Sequence, residues 1–382
     1  MDFTLDEEQE LLRTQIITFC RKELNEGARA RDSAQSFPHD LWLKCGQMGL
    51  QGLPVPQDYG GVGLDPITTA VALEAFGYGC RDGGLIFSVC AHLLACVVPI
   101  WKHGSEEQKR HYLPRLCNGT LIAVNAMTEA DSGSDPFTMS TRAEPDGDGF
   151  RIRGMKTFAS NGPVAGLALV YAVVNSADDG LGGITGFLVE KESAGFRVGQ
   201  TFEKMGLRTS KIGELIFDDM WVPMNSVVGG IGAGAILFSE SMDWERALLV
   251  ATHLGTMERL LEEAIEYART RKSFGKAIGK FQAVSHRIVD MKVRLDAARL
   301  LTYKAASRLG VSRDVQRDAA IAKLFASESL VTNALDTIRV FGGYGYMQEY
   351  DMERVLRDAV GGVLYSGTSD MQRNIIASWL GL

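Results

Sequence analysis

Two segments far apart in the chain contain side chains that could move a proton. One reads Trp244-Glu245-Arg246 and the other Tyr365-Ser366. A carboxylate beside an apolar side chain can be buried enough for its pKa to approach neutrality, which suits a general base. A serine cannot remove a carbon-bound proton unless another base activates it. Because a glutamate beside an arginine on a helix is also typical of a solvated surface pair, both interpretations of Glu245 stay open from the local sequence.

Three further segments could bind a polar ligand, although each also has a plain structural interpretation. Residues 128–135 form a polar loop whose serine, glycine and aspartate residues are typical of a turn. Residues 271–275 read Arg-Lys-Ser-Phe-Gly, which predicts a helix C-terminus with basic residues in its last turn and a glycine stop. Gly342 and Gly343 permit close approach of a backbone to a cofactor. They follow a helical pattern and not a strand, so a Rossmann fold and NAD are not expected.

Composition excludes some classes of protein. The chain has 382 residues, 46% hydrophobic and 23% charged, with a net charge of −7, which is typical of a globular protein and argues against nucleic-acid binding. All six cysteines lie in the first third without a Cys-x-x-Cys pair. Their spacing predicts neither a metal site nor disulfides, but reduced and mostly buried thiols. These cysteines are Cys20, Cys45, Cys80, Cys90, Cys96 and Cys117.

No segment is expected to target the chain to a membrane or for secretion. The N-terminus is acidic and lacks the basic and apolar regions of a signal peptide. The apolar run over residues 84–100 is interrupted by His92 and is predicted to be too short and too polar to span a bilayer. We therefore expect a cytoplasmic protein.

Proline positions and apolar spacing predict three domains. No proline follows Pro223, and proline is excluded from helix interiors. Apolar residues at i, i+3, i+4 spacing after residue 249 therefore predict a helix bundle. Short alternating stretches over 121–217, separated by turn clusters at 146–149 and 178–180, predict antiparallel strands. We expect an α+β fold with an N-terminal all-helical domain (1–120), an antiparallel β-domain (121–228) and a C-terminal helix bundle (229–382).

The same order of domains, together with a series of motifs, resembles the acyl-CoA dehydrogenase family over essentially the whole chain, which implies that the C-terminal bundle has four helices. The motifs are Gly-Ser-Glu-Glu-Gln-Lys at 104–109, Thr-Glu-Ala-Asp-Ser-Gly-Ser-Asp at 128–135, Lys-Met-Gly-Leu-Arg at 204–208, Arg-Lys-Ser-Phe-Gly at 271–275, Phe-Gly-Gly-Tyr-Gly at 341–345 and Ser-Gly-Thr-Ser at 366–369. In most of the family the last motif begins with the catalytic glutamate, where this chain has Ser366. A minority carries its base just before an arginine, which is the position of Glu245.

That resemblance implies a mechanism. Glu245 would remove the α-proton of a thioester, and N5 of a bound FAD would accept the β-hydride. The backbone N–H of Ser366 would polarise the thioester carbonyl. Asp243 and Arg246 would contact the pantetheine arm, Tyr365 would flank the acyl pocket, and Ser134 would touch both cofactor and substrate.

FAD-binding positions also follow from the resemblance. Two of them depart from the usual pattern, because Phe158 stands where a tryptophan is commoner and Arg339 stands where the family usually has a glutamine. Within the polar loop, Ala130 stands where the family usually has a proline. The complete implied set is Thr128, Gly133, Ser134, Phe158, Ser160, Arg271, Phe274, Gln282, Arg339, Gly342, Gly343, Thr368 and Asp370. No metal ligand is implied.

Within the family, the chain is most similar to members that oxidise proline held as a phosphopantetheine thioester on a carrier protein. A short- or branched-chain acyl-CoA dehydrogenase is the next alternative. A flavin monooxygenase or oxidase without a base and a non-catalytic FAD-binding scaffold remain as further alternatives. The resemblance implies a homotetramer, because the turn at Arg271 and Gln282 reaches a neighbour's FAD. An electron-transfer flavoprotein or O₂ would reoxidise the flavin.

Overall fold

The computed structural model describes residues 4–174, 183–312 and 314–382. Helices come first, then strands, then helices again, as the sequence predicts. The turn expected at 178–180 lies outside the described residues.

The N-terminal region is helical, as predicted, and two of its helices begin with a capping box. Asp6 and Gln9 form a capping box at the start of the first helix, as do Ser105 and Gln108 at the start of the seventh. The seven helices are α1 Glu7–Glu23, α2 Ala28–Ala34, α3 His39–Gln47, α4 Pro66–Gly79, α5 Gly83–His92, α6 Val98–His103 and α7 Glu106–Cys117.

The apolar run proves longer than predicted. A π-helical segment, Leu93–Val97, joins α5 to α6, so that Gly83–His103 is long and apolar enough to cross a membrane by length and composition alone. The argument from length was therefore wrong. This segment is nevertheless buried like a core helix, because 83% of its most apolar stretch lies inside the protein.

The middle of the chain forms one eight-stranded sheet in the order β6-β7-β3-β2-β4-β5-β8, with β1 paired to β4. The prediction of a purely antiparallel sheet was wrong in one respect. The pairs β1–β4 and β2–β4 are parallel. Both strands lie along the same edge of β4, opposite β5, and each reaches β4 through a connection longer than a hairpin. The strands are β1 Ala123–Ala126, β2 Arg142–Asp146, β3 Gly149–Ser160, β4 Leu167–Val174, β5 Gly183–Glu190, β6 Phe196–Thr201, β7 Ile212–Pro223 and β8 Val227–Val228.

Long helices fill the proline-free region, as predicted. Three of them, α8 Gly234–Thr270, α9 Gln282–Ala306 and α10 Val315–Phe341, pack against one another. The shorter helices α12 Met352–Gly362 and α13 Ser369–Trp379 pack against α10 and complete the bundle, while α11 Gly343–Tyr346 is a single turn.

We predicted that Arg-Lys-Ser-Phe-Gly ends a helix with its glycine, and this prediction was wrong. Helix α8 ends at Thr270, and the strands β9 Lys272–Ser273 and β10 Lys276–Ala277 form a hairpin. Phe274 and Gly275 are its two-residue turn, and both have positive φ, 49° and 81°, which a tight hairpin turn requires.

Helix α8 is held against the N-terminal domain by direct contact of two backbones. A Cβ on Gly77 of α4 would lie 2.0 Å from the carbonyl oxygen of Thr252, and a Cβ on Gly255 would lie 2.0 Å from that of Glu74. Only glycine allows this approach. The helix that carries Glu245 is therefore fixed to α4 as well as to its own bundle.

Candidate active site

Glu245 and Ser366 meet in the folded protein although 121 residues separate them. Glu245 lies on α8 and is only 6% exposed, while Ser366 lies in the loop between α12 and α13. The Ser366 hydroxyl donates a hydrogen bond to Glu245 Oε1. The interpretation of Glu245 as a solvated surface residue is therefore wrong.

Opposing effects act on the Glu245 carboxyl group. Burial raises its pKa above the ordinary value, and the Ser366 hydroxyl and the charges of Arg246 and Lys323 offset part of that increase. A carboxyl with a raised pKa next to a fixed hydroxyl is suited to accept a proton from carbon.

The apolar surroundings of Glu245 include elements other than its own helix. Its charge contributes to raising the pKa of Cys90 and Cys96, so thiols from α5 and the π-helical segment lie near it. Trp244, which we expected to form the apolar wall, packs edge-on against Trp101 with ring centroids 6.0 Å apart. Adjacent residues on a helix point in different directions.

Ser366 and Gly367 form a left-handed turn whose carbonyls are held by side chains from three helices. Their φ angles are 55° and 82°. Arg246 Nε donates to the Ser366 carbonyl at 3.1 Å, and Gln372 Nε2 donates to both carbonyls at 3.1 and 2.8 Å. Lys323 Nζ donates to the Gly367 carbonyl at 2.7 Å. Sequence reasoning missed Lys323, for which the only signal was a lysine within an apolar stretch of α10.

Tyr365 closes one side of this region. Its hydroxyl shares a 2.8 Å hydrogen bond with His253 Nε2, and its ring packs against Phe87 with centroids 4.6 Å apart. Burial, together with the charge of Lys323, lowers the pKa of His253 to about 3, so the imidazole is neutral at physiological pH. Beyond these side chains lies a cavity of about 50 Å³, also lined by Leu249.

Asp243 lies two residues before Glu245 and therefore on another face of α8. Burial raises its pKa to about 6, which the Arg246 charge partly offsets. Its Oδ1 is buried and accepts no hydrogen bond from the described residues. Asp243 thus has an acceptor available for a ligand beside Arg246.

Thr128, Phe158 and Ser160 come together where the polar loop meets β3. The Thr157 backbone N–H donates to the Thr128 carbonyl at 2.9 Å. The adjacent Phe158 has φ 50° and a side chain that is 61% exposed, while Ser160 is half-buried at the end of β3. An aromatic ring held outward by a left-handed backbone can cover one face of a planar ring system.

Gly133 and Ser134 are exposed at the tip of the polar loop, and a buried ion pair that sequence reasoning missed holds the base of that loop. Lys156 Nζ donates to Glu129 Oε1 at 2.8 Å, and the Ser140 backbone N–H and hydroxyl donate to Glu129 Oε2 at 2.6 Å. Burial lowers the pKa of Lys156 to about 8. Burial raises that of Glu129, but its hydrogen bonds from Lys156, Ser140 and Thr141 outweigh this effect and bring it to about 2.

A second cavity, of about 460 Å³, brings together three of the predicted cofactor-binding residues: Arg271, Gly342 and Gly343. The Arg271 guanidinium lies 5.6 Å from the ring centroid of Tyr344. No atom lies within 4 Å of a Cβ built on either glycine, so a ligand can approach the backbone closely. A cationic fork beside exposed glycine backbone fits the diphosphate of a dinucleotide.

The remaining predicted residues lie outside that cavity lining. Phe274 is 93% exposed at the hairpin turn, and Gln282 is exposed at the first position of α9. Arg339 forms an ion pair with Asp336 at 3.1 Å. Thr368 caps α13 by accepting a hydrogen bond from the Met371 backbone N–H at 3.2 Å. Asp370 is exposed and pairs with Arg373 at 2.9 Å.

Among the described residues, no group of three or more His, Cys, Asp or Glu side chains is arranged to hold a metal ion.

Comparison with known families identifies the class of protein. The chain matches the acyl-CoA dehydrogenase N-terminal domain over residues 6–120, the middle domain over 125–220 and the C-terminal domain over 232–381. It therefore belongs to the acyl-CoA dehydrogenase family, which confirms the predicted fold class.

Individual relatives narrow the comparison. An L-prolyl-[peptidyl-carrier protein] dehydrogenase of Pseudomonas fluorescens is 43% identical over 383 residues, which cover 100% of both chains. Among solved structures, the prolyl acyl carrier protein oxidase AnaB has a TM-score of 0.96 and 41% identity, over 99% of this chain and 100% of its own. PigA, solved with FAD and proline, has the same TM-score and identity over 100% of both chains.

Proposed function

We propose that the protein is an FAD-dependent dehydrogenase of a prolyl group held as a thioester on a carrier protein. The observation that carries the proposal is the buried Glu245 carboxyl beside Ser366, in a chain 43% identical to an L-prolyl-[peptidyl-carrier protein] dehydrogenase. Glu245 accepts the proton from the carbon next to the thioester carbonyl. Bound FAD supplies the two-electron acceptor for the hydride on the neighbouring ring atom, and the product is a pyrroline thioester.

Other side chains bind and orient the substrate. The Ser366 backbone N–H is directed to the thioester carbonyl, where developing negative charge is stabilised most effectively. Asp243 and Arg246 contact the pantetheine arm, a role that the free Oδ1 of Asp243 supports. Tyr365, backed by Phe87 and His253, bounds the acyl group.

The proposed FAD site is divided between two subunits. The flavin end contacts residues of the polar loop and of β3, namely Thr128, Gly133, Ser134, Phe158 and Ser160. The segment that contains Thr368 and Asp370 closes over the flavin. The diphosphate end of another subunit's FAD contacts Arg271, Phe274, Gln282, Gly342 and Gly343, and Arg339 lies nearby. Helix α8 supports this division. It has 37 residues and is roughly 55 Å long, so that Glu245 and Arg271 lie roughly 40 Å apart along it, well beyond the length of one dinucleotide.

We further propose that the domains comprise residues 1–120, 121–228 and 229–382, and that four copies form the functional assembly. The buried, reduced state of the cysteines supports a cytoplasmic location.

One experiment tests the substrate assignment. The purified yellow protein is mixed anaerobically with a prolyl-carrier protein and, separately, with a panel of short and branched acyl-CoA thioesters. We expect prolyl-carrier protein to bleach the flavin within one turnover and to lose two mass units. Bleaching by acyl-CoA but not by prolyl-carrier protein would favour the alternative of a short- or branched-chain acyl-CoA dehydrogenase.

The assignment of the base is tested by Glu245→Gln. We expect flavin reduction to fall by at least about 10³-fold while FAD stays bound, because the amide retains the shape but cannot accept the proton. Glu240→Gln is the matched control on the same helix, since Glu240 is exposed and, among the described residues, is hydrogen-bonded to His103 at 2.8 Å. Activity of Glu245→Gln within a few-fold of wild type would place the base elsewhere.

Either O₂ or an electron-transfer flavoprotein would accept the electrons from the reduced flavin. One relative is named a dehydrogenase and another an oxidase. Reoxidation of the reduced protein by O₂ and by an electron-transfer flavoprotein, compared by stopped-flow absorbance, distinguishes the two acceptors.

A further inference from the structure

Lys323 is an unusual lysine. It lies in the interior of α10, and it is only 1% exposed. Lysine is almost never fully buried without a charged partner, yet Lys323 forms no ion pair within the described parts of the chain. Its hydrogen bond goes instead to the Gly367 carbonyl, at 2.7 Å.

We propose that Lys323 is a positioning residue for the reaction, which anchors the Ser366–Gly367 turn and provides the second positive charge that keeps Glu245 a carboxylate. This inference rests on the proposed role of Glu245 as the base. Lys323 does not need to touch substrate or cofactor, because it acts through the turn and through its charge.

The first part of this role follows from the geometry of the turn. Two consecutive residues have positive φ, and one of them, Ser366, is not glycine. Such a backbone persists only where its surroundings determine it. Lys323 and Gln372 both donate to the Gly367 carbonyl, and Arg246 and Gln372 donate to the preceding one. Together they fix the peptide planes on either side of Gly367. They therefore hold in place the serine whose backbone N–H is proposed to bind the thioester carbonyl and whose hydroxyl contacts Glu245.

The second part follows from the charges around Glu245. The groups that face it are Arg246 on its own helix, Lys323 on α10, Tyr365 and Ser366 from the loop after α12, and Cys90 and Cys96 from the α5 side. Burial raises the pKa of both thiols and of the Tyr365 phenol, so these groups are neutral. Among the described residues, Arg246 and Lys323 are therefore the cations that act on the carboxylate.

The charge of Lys323 is itself sensitive to its surroundings. Burial lowers its pKa to about 8, with a further decrease from the Arg246 charge, while Glu245 and Glu328 oppose that change. The neutral His253 also lies near it. Below about pH 8 Lys323 is a cation, and loss of that charge raises the pKa of Glu245.

Two variants separate the charge from the hydrogen bond. Lys323→Met removes both, whereas Lys323→Gln removes the charge and keeps a donor for the Gly367 carbonyl. Lys304→Met is the matched control, because Lys304 is partly exposed and bonded to Asp318 at 3.1 Å. FAD content and circular dichroism verify that each variant is folded.

The first readout needs no substrate. The infrared carboxyl band that disappears in Glu245→Gln is followed against pH in the holoenzyme. We expect its midpoint to rise by about one pH unit in both Lys323 variants and to stay in place in Lys304→Met. An unchanged midpoint in both Lys323 variants would overturn the electrostatic part of the proposal.

The second readout is the rate of flavin reduction in a single turnover, measured at a pH above every midpoint, with whichever thioester reduces the wild-type protein. There we expect Lys323→Met to be slower by roughly 10²-fold through displacement of the turn, with a nearly unchanged substrate concentration at half-maximal rate. Lys323→Gln should recover most of the rate. A wild-type rate in Lys323→Met would overturn the anchoring role. A wild-type protein that no thioester reduces would instead contradict the proposed function, and the infrared titration would still stand.

Discussion

The hydrogen bond from Ser366 to Glu245 gives the serine two separate functions at the proposed site. Its hydroxyl stabilises the charged form of the carboxylate and fixes its orientation. Its backbone N–H is proposed to bind the thioester carbonyl. A side-chain substitution at this position can therefore change the titration of the base without removing the main-chain contact.

Ser366→Ala is expected to keep its FAD and most of its turnover near pH 8. A base is active when deprotonated, so the rate rises with pH through the pKa of Glu245. Loss of the hydroxyl donor raises that pKa, because the hydrogen bond favours the charged form, and the acid limb of the rate profile shifts to higher pH. Single-turnover flavin reduction across a pH series measures this shift. Complete loss of turnover at every pH would indicate a chemical role for the hydroxyl.

Sequence reasoning reached Glu245 and Ser366 because both lie in recognisable motifs. It did not reach Lys323 or His253, although both contact the same loop. Their functions depend on burial and on partners from distant segments, and neither residue lies in a motif. The local sequence carries no information about which buried lysine faces a carbonyl group.

The loop between β1 and β2 is attached to β3 by the buried Lys156–Glu129 ion pair and by the hydrogen bond from the Thr157 backbone N–H to the Thr128 carbonyl. Glu129 accepts hydrogen bonds from Lys156, Ser140 and Thr141, and both Glu129 and Lys156 are almost completely buried. Removal of one member leaves the other charge buried without its partner.

Glu129→Gln is expected to lower the free energy of unfolding by roughly 3–5 kcal/mol and to release FAD at lower temperature. Glu144→Gln is the control, because Glu144 forms an exposed pair with Arg153 at 2.8 Å and should matter little. Thermal unfolding with flavin fluorescence measures both. A loss in Glu129→Gln no larger than in the control would contradict this account.

The same pair makes a pH-dependent contribution. Hydrogen bonds to Glu129 lower its pKa to about 2 in the folded protein, from an ordinary value of 4.5. Its contribution to stability is therefore complete above about pH 4.5 and is lost as the pH falls toward 2. Glu129→Gln should reduce the part of the acid sensitivity that falls in this range.

Three side chains from different elements limit the acyl side of the proposed site. Phe87 of α5 and His253 of α8 both contact Tyr365, and all three side chains line the small cavity of about 50 Å³. We expect these rings to favour a compact acyl group over an extended chain.

Phe87→Ala is expected to join the small cavity to the substrate side, because it removes the ring that packs on Tyr365. We expect flavin reduction by four- to six-carbon thioesters to increase at least about 10-fold relative to reduction by the prolyl thioester. Phe196→Ala, which removes a ring packed on Phe217 in the sheet, is the control. An unchanged preference would show that the barrier lies elsewhere.

Elements were predicted better than their connections. Long apolar periodicity predicted the helices α8 and α9, and short apolar or alternating stretches predicted the strands β3 and β4. The strands β2 and β6 were missed because exposed polar residues interrupt their alternation. The hairpin after Thr270 was missed because its basic and glycine residues are also typical of a helix end.

The two candidate ligand regions, around Glu245 and around Arg271, lie far apart along α8. Glu245 lies in the N-terminal part of this helix, and the Arg271 cavity lies just past its last residue. The exposed hairpin with Phe274 lies at the same end. We propose that each FAD site takes residues from two copies, and this separation supports the expectation of an assembly.

The oligomer and the cofactor should depend on the same hairpin. Arg271→Ala is expected to weaken FAD binding by roughly 2–5 kcal/mol, and Phe274→Asp to weaken both association and FAD retention. Light scattering after size-exclusion chromatography, with the ratio of flavin to protein absorbance, measures both properties. Lys276→Ala, in the same hairpin, is the control for a general effect of substitution. A monomer with stoichiometric FAD would contradict the divided site.

The six buried cysteines have a consequence for chemical durability. All are free, and burial raises the pKa of every thiol. Peroxide and disulfide reagents attack the thiolate, which is therefore almost absent in the folded protein at neutral pH. An enzyme whose reduced flavin meets O₂ generates hydrogen peroxide at its own surface. This protein should survive that exposure without thiol oxidation, and a chromogenic disulfide should find no reactive cysteine until the chain unfolds.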